Sequence, residues 1–130
     1  MSFREKTAWI SLFASLAIYG SYFATGGMAS FGAMVGATIL FVIVMIVLTV
    51  AAAIFARRDA SAPADEREKL IALKSSQVAL VAIATGALGA IAAMFWDIDR
   101  VLVANGLFFA LVLGEVGKDI AQIVYFRRGV

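Results

Sequence analysis

Neither cysteine nor histidine occurs in this chain. Without cysteine there is no disulfide framework, no thiolate nucleophile and no cysteine-held metal or cluster. Without histidine the commonest general base, pH switch and metal ligand is missing as well. Proline is reduced to Pro63, and no charged residue falls between Thr7 and Ala56. Together these absences exclude most enzyme classes. No cofactor and no metal are expected. The net charge of +2 is too small to imply nucleic acid, and no direct nucleic-acid binding is expected.

What fills the chain is apolar. Of 130 residues, 63% are hydrophobic, against about half in a soluble domain, and the mean hydropathy is +0.97. This is a membrane composition, and the length suits a single domain over residues 1–130. The uncharged run from Thr7 to Ala56 is too long for one span and fits two, since a span takes about 20 residues. The break falls in "ATGGMASFG", residues 24–32, where glycine and small polar residues favour a turn. A first helix is therefore expected over about 7–24 and a second over about 33–55. The opening "MSFREKTAWISLFASLAIYG" has the basic start and apolar run of a signal peptide. A second, longer apolar segment follows it with no soluble domain behind, so the first segment is expected to be a retained helix.

Residues 56–77, "ARRDASAPADEREKLIALKSSQ", form the one strongly polar segment. Residues 57–64 read as a linker. Asp65 suits an N-cap, with Glu66 and Glu68 in the favourable first turn. Asp65 and Lys69 are four apart and can pair. One long helix over 65–96 is expected, with two or three turns in the cytoplasm before it enters the bilayer near Ser76. "DIDR", residues 97–100, makes a turn, and a fourth helix runs over about 101–126. Arg4, Lys6, Arg57, Arg58, Arg67, Lys69, Lys74, Arg127 and Arg128 all fall on one side of this topology, and Arg100 alone on the other. By the positive-inside rule both termini and the central linker face the cytoplasm. The expected fold is an all-α four-helix transmembrane bundle with cytoplasmic N- and C-termini and a third helix extended into the cytoplasm.

Helices in lipid associate by close packing and polar contacts. The fourth helix carries Gly106, Ala110, Gly114, Gly117 and Ala121 along one side. The third carries Gly86 and Gly89 among alanines. These lines predict a tight antiparallel pair, and the same lines suit a homo-oligomer, with a dimer favoured.

The exception to the apolar pattern is "GEVGKDIAQ", residues 114–122. Glu115, Asp119 and Gln122 share one helix face with Asn105 and Phe108, and Lys118 lies beside them. Each charge near the centre of a span costs about 2.5–3.5 kcal/mol on insertion scales. Antiparallel geometry puts Ser15 of the first helix level with Glu115, and Ser11 level with Asp119. Ser11, Ser15 and Tyr19 fall on one helical line. Ser75, Ser76 and Gln77 lie on the other side. An intramembrane polar cluster of Glu115, Lys118, Asp119, Gln122, Ser11, Ser15 and Tyr19 is expected. Three readings stay open for it: a structural clasp with a wet helix end, a working site such as a proton relay or the wall of a small-solute path, and polar contact with another subunit. The run Asp65, Glu66, Arg67, Glu68 and Lys69 reads as a solvated helix face or as a docking surface for a cytosolic protein.

"MSFREKTAWISL", "DEREKLIALKSSQ" and "EVGKDIAQIVYFRRG" together resemble a group of uncharacterised small bacterial membrane proteins, over most of the chain and in order. The resemblance implies four helices and a bacterial inner membrane. It also points to small cytosolic helix-turn-helix regulators as partners, and it carries no established activity. The chain differs from small multidrug transporters, whose essential carboxylate lies in the first helix, and from dual-topology fluoride channels, whose glycine-rich motif has a nearby arginine. The expected function is that of a small non-enzymatic integral membrane protein with a sensing or regulatory role towards a cytosolic partner. The alternative is a transporter or channel component using a path lined by the Glu115 and Asp119 carboxylates. Its expected partners are the lipid bilayer, a second copy of the chain and a cytosolic protein.

Overall fold

The computed structural model of the chain describes residues 2–25, 30–58, 63 and 65–129. They hold four long helices and no strand: α1 (Phe3–Ala24), α2 (Phe31–Phe55), α3 (Glu66–Phe95) and α4 (Arg100–Arg128). All four are long and apolar enough to cross a membrane. Residues 26–29 of the expected first turn, and 59–62 and 64 of the expected linker, lie outside the described residues.

The helix starts follow from their caps. Ser2 Oγ accepts the Glu5 amide at 3.1 Å, and Ser-x-x-Glu is the capping-box pattern. This starts α1 at Phe3, four residues before the expected Thr7, and brings Arg4, Glu5 and Lys6 into the helix. Ser30 Oγ caps α2 by accepting the Ala33 amide at 3.3 Å, two residues earlier than expected. Asp65 caps α3 as expected, accepting the Glu68 amide at 2.7 Å. Asp99 caps α4, which runs to Arg128 rather than to about residue 126. Between α3 and α4 the chain reverses through Trp96–Asp99, and Asp97 takes a positive φ of 53° there, in the region that short polar side chains tolerate best after glycine.

Neighbouring helices run antiparallel in the order α2, α1, α4, α3. The α3–α4 contact is the largest, and α1 packs on both α4 and α2. The flanking helix α2 has no buried residue, which suits its lipid-like sequence.

The α3–α4 seam depends on missing side chains. A Cβ at Gly86 would overlap the Cβ of Ala110. One at Gly114 would lie 3.3 Å from the Ala79 carbonyl oxygen, and one at Gly117 3.1 Å from Val78 Cγ1. Gly86, Ala110, Gly114 and Gly117 therefore form the expected close line. Gly89 and Gly106 do not: a Cβ on either meets nothing within 4 Å, because the helices diverge there around an apolar groove of about 300 Å³.

The start of the third helix does not stand alone. Its first turns lie beside the start of α1 and the end of α4. Arg4 Nε of α1 donates to Glu68 Oε2 of α3 at 3.1 Å. Arg127 Nε of α4 donates to Glu5 Oε1 of α1 at 2.7 Å. Arg67 Nη2 of α3 donates to the carbonyl oxygens of Tyr125 and Phe126 at 3.3 and 2.9 Å, in the last turn of α4, where carbonyls run short of intrahelical donors. Ile71 and Ser75, one and two turns further along α3, are fully buried. One end of the molecule is thus a charged three-helix unit.

Gly86→Leu and Gly114→Leu are expected to destabilise the protein by about 1–3 kcal/mol through overpacking, read as a lower thermal midpoint in detergent. Gly89→Ala and Gly106→Ala are expected to leave that midpoint unchanged.

Candidate functional site

The polar residues of α4 gather at a cleft of about 320 Å³ near the charged end, where all four helices contribute to the wall. From α4 come Glu115, Lys118, Asp119 and Gln122. From α1 come Arg4, Thr7 and Ser11, while Met45 and Thr49 of α2 and Ala72 of α3 complete it. The cleft spans roughly 12 Å along α1, from Phe3 to Ser11 at 1.5 Å per residue.

Within it Glu115 is the best-served group. Lys118 Nζ donates to its Oε1 at 2.7 Å, and Ser11 Oγ donates to the same oxygen at 3.4 Å. The pair is one turn apart on α4, so the helix itself supplies the counter-ion. Asp119 is different. It is 2% exposed, and its Oδ2 has no hydrogen-bond partner among the described residues. Ser11 lies against Asp119 as well as against Glu115, but a hydroxyl has only one proton to donate.

Towards the opposite end the cleft stops. Its wall extends no further than Ser11 on α1, Met45 on α2 and Glu115 on α4. Beyond it Tyr19, Phe41 and Phe108 pack together, with ring centroids 5.1 Å apart for Tyr19–Phe41 and 5.6 Å for Tyr19–Phe108. Tyr22 and Phe23 extend the same cluster. The Tyr22 hydroxyl donates to Asn105 Oδ1, and Asn105 Nδ2 donates to the Val101 carbonyl at 2.9 Å. The cleft therefore reaches the first turn of α1 at the charged end and stops short of the aromatic rings at the other.

Five of the seven expected cluster residues meet here: Glu115, Lys118, Asp119, Gln122 and Ser11. Ser11 lies against Asp119, the level expected for it, and it also reaches Glu115, which was expected to meet Ser15. Ser15 is wholly buried, with no partner for its Oγ among the described residues, and Tyr19 belongs to the aromatic cluster. Across α3, the Ser75 and Ser76 hydroxyls both donate to the Ala72 carbonyl of their own helix, at 3.1 and 2.8 Å. Among the docking candidates, Arg67 and Glu68 bond to α4 and α1, and Asp65 caps its own helix. Glu66 and Lys69 pair with each other at 3.3 Å on the exposed face.

Arg4, Thr7 and Thr49 were not expected at the site. The Ser2–Glu5 capping box was the available signal for Arg4, because it carries α1 down to that level. Thr49 lies on a helix whose sequence gives no sign of a polar neighbour.

Glu115 and Asp119 should respond oppositely to neutralisation. Glu115→Gln removes the counter-ion of Lys118 and is expected to lower stability by about 1–3 kcal/mol. Asp119→Asn removes a buried charge that has no ion-pair partner among the described residues. It is expected to keep or raise the thermal midpoint, as replacement of functional polar groups often does. A large loss of stability in Asp119→Asn would mark Asp119 as part of a structural clasp.

Comparison of the chain with protein-family models, with curated proteins and with solved structures finds no match.

Proposed function

We propose that this chain is a small non-enzymatic protein of the bacterial cytoplasmic membrane that senses a small ligand in the cleft and signals to a cytosolic partner. The four apolar helices support insertion. The nine-to-one bias of basic residues supports cytoplasmic termini and a cytoplasmic linker. In that orientation the end of the cleft lined by Phe3 and Arg4 faces the cytoplasm. A second copy in the membrane suits the exposed apolar flanks of α2 and α3. The lack of histidine and cysteine supports a role other than catalysis.

The observation that carries this reading is the position of Arg4. It lines the cleft and also bonds Glu68 near the start of α3. A ligand entering the cleft competes for the space and charge around Arg4, and any displacement of Arg4 loosens its link to α3. The exposed Glu66–Lys69 face of that helix then changes its setting. The Glu66 and Lys69 side chains are 93% and 62% exposed, which suits them for contact with a soluble protein.

A second reading, a transport component, is favoured by one observation: the cleft reaches Glu115 from the charged end. It requires the Tyr19–Phe41–Phe108 cluster to open, and the aromatic contacts there weigh against a path through one protomer.

Two measurements test the proposal. The absence of native cysteine allows single cysteines to report topology. Ser2→Cys and Gly129→Cys are expected to resist a membrane-impermeant maleimide added outside intact cells, and Ile98→Cys is expected to react; the reverse pattern would overturn the orientation. Affinity capture of the full chain from its native membrane, after cross-linking, is expected to retain a cytosolic protein. Exchanging the charges in Glu66→Lys with Lys69→Glu is expected to abolish that capture. Capture that ignores the exchange would contradict the docking role, and solute flux in liposomes abolished by Asp119→Asn would favour transport instead.

A further inference from the structure

Resting on the reading of the cleft as a ligand site, we propose that its ligand is a small primary ammonium ion held by Asp119 as counter-ion. The charges of the cleft wall lead to this class. Lys118 is matched by Glu115 at 2.7 Å, and Arg4 by Glu68 at 3.1 Å. Asp119 alone has no ion-pair partner among the charged groups of the wall; with Glu68 counted as the partner of Arg4, the three carboxylates Glu68, Glu115 and Asp119 face only two cations, Arg4 and Lys118. An anionic ligand would find both cations already engaged.

The hydrogen-bond inventory narrows the class further. Asp119 is nearly fully buried, yet its Oδ2 lacks a donor among the described residues. A buried acceptor without a donor is costly. With the Asp119 carboxyl turned towards the cleft that it lines, water would supply a donor but no charge, whereas an ammonium would supply both, and charge-assisted hydrogen bonds are the stronger kind. A quaternary ammonium has no N–H and cannot fill the vacancy. A divalent metal finds no group of three or more carboxylates among the described residues.

The remaining wall fits a primary amine with a short chain. Gln122 and Thr49 bring further polar groups to it, while Ala8, Met45 and Ala72 offer apolar surface to an alkyl tail. The volume of about 320 Å³ lies at the small end of the range for ligand pockets, which favours a compact ligand.

The test is binding of ethylammonium to the full chain in phosphatidylcholine nanodiscs, whose zwitterionic lipid avoids a competing anionic surface. Ligand-observed NMR or titration calorimetry reads the affinity. Ethylammonium is expected to bind saturably, with one site per chain. Tetramethylammonium, glycerol and acetate are expected to bind at least about tenfold more weakly. Asp119→Asn is expected to weaken ethylammonium binding at least about tenfold while the protein stays folded. Lys118→Gln leaves Glu115 unmatched and is expected to bind ethylammonium at least as tightly as the unaltered chain. The proposal is overturned if ethylammonium shows no saturable binding, if Asp119→Asn binds it unchanged, or if acetate binds more tightly and loses affinity in Lys118→Gln. Ethylammonium binding without any captured cytosolic protein would overturn the signalling role and leave this assignment standing. Capture that depends on Glu66 and Lys69, with no ethylammonium binding, would overturn this assignment alone.

Discussion

A membrane-length helix that carries two carboxylates and an ammonium cannot face lipid on all sides, and this constraint on α4 organises the molecule. Unsatisfied polar groups in hydrocarbon cost several kcal/mol each, and α4, like α1, has a neighbouring helix on either side. The α1 helix supplies Ser11 and Tyr22 to its polar face. The α3 helix supplies a seam so close that Gly86 must have no Cβ. The α2 helix, with nothing polar beyond two threonines after Gly36, is left on the flank with no buried residue.

The same constraint explains the charged end. Once α1 and α3 are drawn to opposite sides of α4, the start of each comes to lie beside the end of α4. Arg4–Glu68, Arg127–Glu5 and Arg67 on the α4 carbonyls then tie the three together. Exposed ion pairs contribute little singly. Glu5 is almost fully buried, however, so its pairing with Arg127 does more than an exposed contact would. Arg4 belongs to both this tie and the cleft, which makes the charged end the natural place for occupancy of the cleft to be felt.

Much of the architecture was legible before any coordinates. The four helices follow from apolar length, the α3 cap from Asp65 with its acidic first turn, and the close seam from Gly86, Ala110, Gly114 and Gly117. The face shared by Glu115, Asp119 and Gln122 is a matter of helical period alone. Other features depended on details that periodicity does not carry. That Ser11 serves Glu115 as well as Asp119 depends on how α1 and α4 interlock, and no spacing within either helix encodes it. Gly89 and Gly106 have the pattern of packing glycines but lie where the helices diverge. The roles of Arg67 and Glu68 were hidden because a charge run looks the same whether it faces solvent or a neighbouring helix end. The donor missing from Asp119 is a property of three helices together and is invisible in any one of them.

The central claim is that the fold leaves one oxygen of Asp119, Oδ2, without a protein donor so that a ligand ammonium can supply one. Infrared difference spectroscopy on protein with isotopically labelled aspartate tests this most directly. Adding ethylammonium is expected to perturb a single aspartate carboxyl band, and that perturbation is expected to vanish in Asp119→Asn. No difference signal, or one that persists in Asp119→Asn, would contradict the account.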